Sequence, residues 1–238
     1  MKATFLLFAT LFVLQSCNEN KSQQYLESGM YTNATTESVH AIDPMWYQGK
    51  AEINVYDIQQ NRYNALHEGE AVLIFVTEDF LSDKQVKNDN YTSKNSVPII
   101  KNNQIRKFTT GLYDYSIFTS VFTSVDHNDF AKTYKITTSS QDWCGQSYTQ
   151  VNNKSSKLHW QNFSYFENEG DLAIQTDDVL VLDEVPNLIR IHGDDLPLGK
   201  MKVIPSSVFL RLRHKDIKKY SAKAKIKDYT GDLTEAKA

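Results

Sequence analysis

From Trp46 onward, apolar and polar residues alternate over short stretches, and the chain reads as strand after strand. Ala51, Ile53 and Val55 are separated by Glu52, Asn54 and Tyr56, a period of two that predicts a half-buried strand. After a polar stretch with Gly69, AVLIFV at 71–76 is a continuous apolar run suited to a central strand. These two are expected to pair as a long hairpin, with a short helix in YDIQQNRYNALHEG as the alternative. LYDYSIFTSVFTSV at 112–125 is rich in β-branched and aromatic residues, and DHND at 126–129 reads as a turn. FAKTYKITTSS, CGQSYTQVNN, KLHWQNFSYF and DLAIQTDDVLVLDEV then continue a run of antiparallel meanders. Pro186, Gly193 and Pro197 make Asp183–Leu198 the place for a short helix or a long loop. Strands are expected to return at KMKVIP, VFLRLRHK and SAKAKIKDY, while GDLTEAKA closes no pattern. The expected fold is mainly β: an antiparallel meander forming a sandwich, half-barrel or barrel-like domain with at most one or two short helices.

The first residues follow another pattern. Met1 and Lys2 precede an apolar run from Ala3 to Leu14, broken only by two threonines. A membrane-spanning helix needs roughly 20 such residues, so this run fits the hydrophobic part of a secretion signal. Leu14-Gln15-Ser16-Cys17 resembles a bacterial lipobox, in which the cysteine is acylated and becomes the first residue of the mature chain. A buried helix with Cys17 as an ordinary thiol is the alternative, but a core helix is usually amphipathic and this segment is apolar all round. Residues 1–16 are therefore read as a signal peptide and 17–44, with little apolar periodicity, as a lipid-anchored tether. A flexible coil of that length spans about 30 Å. Residues 45–238 are read as a single β-rich domain.

Composition adds constraints. The chain is 40% hydrophobic and 23% charged, ordinary for a globular protein. Its net charge is −3; removing Lys2 with the leader leaves 25 basic against 29 acidic side chains, or −4, which argues against a general nucleic-acid binder. Cys17 and Cys144 are the only cysteines, and lipidation of the first leaves no internal disulfide. Strands of about ten residues also suit an outer-membrane barrel. However, 71–76 is apolar on both faces and the last strands are rich in lysine. A lipid-tethered domain in the cell envelope fits better. Asn18 stands where an aspartate retains many lipoproteins in the inner membrane, so the outer membrane is expected.

Cys144 in QDWCGQSY is the sole thiol nucleophile left, and it would need a histidine base; His127 and His159 are nearest in sequence. The alternative is a buried cysteine beside Trp143. LHEGE at 66–70 lacks the second histidine of a zinc motif and is interrupted by Gly69; DHND lacks the glycine and distal glutamate of a calcium loop. GDDLPLGKM at 193–201 has the wrong spacing for a phosphate loop. No metal or cofactor is expected. The segment 211–227 is strongly basic, and Arg211, Arg213, Lys215, Lys218, Lys219, Lys223, Lys225 and Lys227 are candidate contacts for an anionic lipid, polysaccharide or protein. The plainer reading is the wet face of a sheet. Trp143, Trp160, Phe163 and Tyr165, with Phe166 beside them, would stack sugar rings or line a lipid groove, unless they are core.

MWYQGKAEINVYDIQQNRYNALHEGEAVLIFVTEDF (45–80), TGLYDYSIFTSVF (110–122), QDWCGQSYTQVNN (141–153) and SYFENEGD (164–171) together resemble a family of uncharacterised bacterial lipoproteins that often carry the label "septum formation inhibitor Maf". The resemblance extends from about Trp46 to Lys227. The label is a misnomer, since Maf proteins are cytoplasmic nucleotide pyrophosphatases of α/β fold with paired arginines. Here no two arginines are adjacent, and no Maf catalytic residue maps onto this chain. The resemblance implies further strands beyond the end of this chain, and with them a truncated C-terminus. It implies no substrate, cofactor or partner. The expectation is a non-enzymatic envelope lipoprotein, with a thiol enzyme or hydrolase using Cys144 as the alternative.

Overall fold

The computed structural model describes residues 42–125, 131–193, 195–228 and 230. The signal peptide, Cys17 and most of the tether lie outside the described residues, as do the DHND turn with His127 and the segment GDLTEAKA. An antiparallel meander dominates: β1 (Glu52–Arg62), β2 (Ala65–Leu81), β3 (Val86–Lys87), β4 (Ser96–Thr110), β5 (Tyr113–Ser124), β6 (Thr133–Asp142), β7 (Gly145–Lys154), β8 (Lys157–Ser164) and β9 (Leu172–Asp177). Each long strand pairs with the next, and β3 adds to the end of β2. Among the described residues β1 and β9 are the edges, and the sheet they bound does not close on itself. Helices α1 (Val185–His192) and α2 (Ser207–Arg213) are short, and β10 (Gly199–Val203) pairs with β11 (Tyr220–Ala224) as a separate ribbon.

Register carries the core. Phe75, Asn102, Val121, Ile136, Val151, Trp160 and Ile174 face one another across seven strands on one side of the sheet. Val181, Ile204 and Leu210 pack against the middle of this row, and Leu188 and Ile191 of α1 against Phe75 and Ile100. The opposite side stays largely open. There Val55, Val72, Ile105, Phe118, Ser139, Tyr148 and Phe163 form the corresponding row, with Val55, Phe118, Tyr148 and Phe163 all exposed. Tyr63–Asn64 and Ser155–Ser156 close two hairpins with both residues of each at positive φ, the backbone that two-residue turns need.

The mainly β meander with two short helices agrees with the sequence expectation, and several local readings change. VFLRLRHK is not a strand; it forms most of α2. Its alternation fits a period of two, but Ser206 caps the helix by accepting a hydrogen bond from the Phe209 N–H at 3.2 Å. Ser207, Leu210 and Arg211 then share a buried helical face. DLAIQTDDVLVLDEV keeps its strand only to Asp177; Val181 makes a single parallel bridge to Ile204. In β1, Ile53 and Val55 face solvent, and the side turned to the helices carries Glu52, whose carboxylate binds Arg190 of α1. β4 is an interior strand between β2 and β5, although NNQIRK within it is too polar to read as a strand. Ile42, placed in the tether by its sequence, is buried with Trp46 in the core.

Candidate anion-binding cleft

Three connections meet at one end of the sheet: the Tyr63–Asn64 turn, the Trp143–Cys144 turn between β6 and β7, and residues 213–215 after α2. With Phe166 they line a cleft of about 550 Å³ that contains Arg62, Cys144, Arg213, His214 and Lys215 and, among the described residues, no carboxylate. Arg62 is buried, and its Nη1 donates to the Leu212 carbonyl at the C-terminal end of α2. Its Nε donates to the Tyr115 hydroxyl at 3.4 Å, and its guanidinium lies 4.4 Å from the Tyr63 ring centre. Burial works against the charge, but the phenol contacts of Tyr115 and Tyr63 outweigh it and hold the guanidinium pKa above its ordinary value. The Tyr115 hydroxyl is pushed up to about 12, first by burial and then by its hydrogen bond with Tyr63. The Tyr115 phenol is therefore a neutral neighbour at physiological pH. Arg62 keeps its positive charge with no ion pair to an acid among the described residues.

His214 is positioned by Glu169, whose carboxylate binds its Nδ1. Glu169 also accepts from Ser164 Oγ at 3.0 Å. Its Nε2 lies 3.5 Å from Arg62 Nη2. That nitrogen makes only long contacts, the other being 3.4 Å to Tyr63 Oη, and remains a donor for the cleft. Tyr63 and His214 both sit at positive φ, 53° and 50°. Glycine or asparagine adopts this conformation more cheaply, by roughly 1–2 kcal/mol for glycine. Two aromatic side chains kept there and facing one cleft point to a use for the side chains themselves.

Beneath the cleft, Arg211 is held between sheet and helix. Its Nη2 donates to Asp142 at 2.8 Å and its Nε to Ser147 at 3.1 Å, with Phe166 under the guanidinium at 4.2 Å. Asp142 turns its other oxygen to the backbone N–H groups of Cys144 and Gly145, at 2.9 and 3.0 Å, and so fixes the turn that exposes the thiol. On the far side of Arg213 and Lys215, a second hollow of about 560 Å³ contains Arg106 and the buried Asp183. There burial lowers the Arg106 pKa, with the Asp183 charge opposing it.

Of the residues singled out from sequence, Cys144 is exposed and not a core thiol. The imidazole sharing its cleft is that of His214; His159 lies on the open side of β8. The basic segment divides. Arg213 and Lys215 line the cleft and form no ion pair among the described residues. Arg211 is removed as a contact by its buried pair with Asp142. Lys218 binds Asp216, and Lys219 binds Asp177 together with Lys157, which hold that carboxyl at about 2. Lys223, Lys225 and Lys227 are exposed away from the cleft, the last two beyond the end of β11. Trp160 is core, with its Nε1 donating to Thr176. Trp143, Phe163 and Tyr165 are exposed, which overturns their reading as core. Arg62, Tyr63, Tyr115 and Glu169 give no local signal; they join the cleft only through strand register. Among the described residues, no cluster of three histidine, cysteine or acidic side chains is placed to hold a metal ion, and no helix is long and apolar enough to cross a membrane.

The chain matches no family model, no curated protein and no solved structure. The site's meaning therefore rests on its own geometry.

Proposed function

We propose that this protein is a non-enzymatic cell-envelope lipoprotein, anchored through acylated Cys17 in the outer membrane, whose β-domain binds an anionic envelope component in the cleft after α2. The anchor rests on the sequence from Ala3 to Cys17. The observation that carries the binding activity is the concentration of Arg62, Arg213 and Lys215 around a hollow without any carboxylate among the described residues. Cations held without counter-charge in a concave, partly dry site attract an anionic partner and raise its local concentration. Arg62 is preorganised by Leu212 and Tyr115, so it loses little side-chain freedom on binding.

Two measurements test this. The mass of protein extracted from membranes should correspond to loss of residues 1–16 and gain of acyl chains at Cys17, and Cys17→Ala should move the protein to the soluble fraction. An unprocessed chain still in the membrane sinks the anchor. Soluble Cys17→Ala protein mixed with envelope fragments should sediment with them, and adding Arg213→Ala and Lys215→Ala should abolish this. Equal sedimentation of both proteins sinks the cleft.

A second reading, a thiol enzyme, is favoured by one observation: Cys144 and His214 line the same cleft. Against it, the free imidazole nitrogen faces Arg62, whereas a general base must reach the thiol. Reaction of native Cys144 with a thiol reagent no faster than that of a free peptide thiol dismisses the enzyme. Acceleration that His214→Ala abolishes would establish it.

A further inference from the structure

On the open side of the sheet, at the edge away from β1, lies a groove of about 640 Å³ floored by β6 to β9. We infer that this groove is a binding site for an acidic polysaccharide, whose carboxylates meet Lys84, Lys135 and Lys154 and whose hydroxyls meet the side-chain amides between them. It involves none of the cleft residues and is a site of its own.

Charge comes first. The three lysines line the groove and, among the described residues, no carboxylate does. Lys135 is half-buried, its ammonium donating to the Gln85 carbonyl at 3.3 Å. Burial and the neighbouring Lys154 both depress its pKa, a crowding that a bound carboxylate would relieve. Hydrogen-bonding capacity comes second. Asn152, His159 and Gln175 lie side by side on β7, β8 and β9, and Gln150 and Gln161 form the next row. His159, Gln161 and Gln175 have no side-chain partner among the described residues, so their donors and acceptors are available. Neighbouring strands are about 4.8 Å apart and successive same-face residues about 7 Å, a grid on the scale of one sugar ring. A side-chain amide presents an NH2 donor group beside a carbonyl acceptor, which suits a pair of vicinal hydroxyls.

Shape comes third. Tyr148 and Phe163 are cross-strand partners in the row next to Gln150 and Gln161, and both are exposed. They extend the polar grid with an apolar platform for the C–H face of a sugar. The Tyr148 hydroxyl donates to Gln150 and Gln150 donates to Asn152, so the platform and the amides are held in one arrangement. A phosphate ligand fits less well: phosphate sites favour arginine forks and free backbone N–H groups at helix or loop termini. Here no arginine lines the groove and the floor is paired sheet. An acyl chain fits worse still, because the lining is mostly amide and ammonium.

The test is calorimetric titration of the detergent-extracted full chain with tetragalacturonate, an alginate tetrasaccharide and a hyaluronan hexasaccharide, beside maltotetraose and inorganic phosphate. At least one acidic oligosaccharide should bind, with maltotetraose and phosphate tenfold or more weaker. Lys154→Ala and Gln161→Ala, both exposed and unpartnered, should each weaken it at least fivefold with an unchanged circular dichroism spectrum. Arg213→Ala in the cleft should change it less than twofold. No binding of any acidic oligosaccharide overturns the inference. So does equal binding of phosphate, or a loss that follows Arg213→Ala instead, which would place the ligand in the cleft.

Discussion

Asp183 is fully enclosed, accepting hydrogen bonds from the N–H and hydroxyl of Ser207 at 2.7 and 2.9 Å. Desolvation still pushes its carboxyl up to about 6, and that of neighbouring Glu184 up to about 7. A raised acid holds its proton in the folded state after the unfolded chain has released it. Stability from these groups is therefore fully present below about pH 4 and lost as pH rises through 6 to 7. For Asp183 the whole change is worth about 3 kcal/mol at ~1.4 kcal/mol per unit. Asp183→Asn keeps an acceptor for Ser207. It should flatten the decline of melting temperature between pH 4 and pH 7.5, and an unchanged slope would show that Asp183 does not titrate there. Neither the raised acids nor the cleft arginine was legible along the chain. Asp183-Glu184 reads as the passage from a strand into a short helix or loop and Arg62 as part of a hairpin, and only the packing of α2 determines what surrounds them.

Among the elements, α2 decides most. Its seven residues are too few to be stable alone, so the helix depends on the Ser206 cap, on Leu210 and Leu212 in the core, and on the Arg211 tie to β6 and β7. Ser206→Ala should cost about 1 kcal/mol. Arg211→Ala should cost about 3–5 kcal/mol, because it leaves Asp142 buried without its partner. Urea unfolding measures both, and an Arg211→Ala loss under 1 kcal/mol would mean that Asp142 is rehydrated through the Cys144 turn. Gly69 shows how an element's neighbours escape a reading of sequence. Along the chain it only interrupts LHEGE. In β2 it passes so close to β4 that an added Cβ would meet the Lys107 carbonyl and lie 2.7 Å from Phe108 Cβ. VFLRLRHK was ambiguous for a similar reason, since its alternation suits a strand while the serine and the i, i+3, i+4 burial suit a helix.

At the scale of the molecule, one sheet serves two environments. Adjacent residues of β5 show this directly: Ile117 faces the helices and is inaccessible, whereas Phe118 is 40% exposed on the open side. Ile117→Ala should cost about 2–5 kcal/mol, and Phe118→Ser less, about 1–2 kcal/mol, because part of the ring is already in water. Comparable losses in urea unfolding would mean that the open side is covered in solution. From its sequence alone the chain determined strand after strand, antiparallel order, short connections and the scarcity of helix, because a period of two and turn residues are local properties of the backbone. It also carries an apolar run from Ala3 to Leu14 ahead of Cys17. Which face of each strand is covered was decided only in the tertiary structure: Ile53 and Val55 read as core and lie outside, while polar β4 is paired on both edges inside the sheet. The cleft and the groove belong to that second category. Arg62, Cys144 and His214, or Lys84, Lys135 and Lys154, are far apart in sequence, and only strand register and the return of α2 onto the sheet bring their charges together.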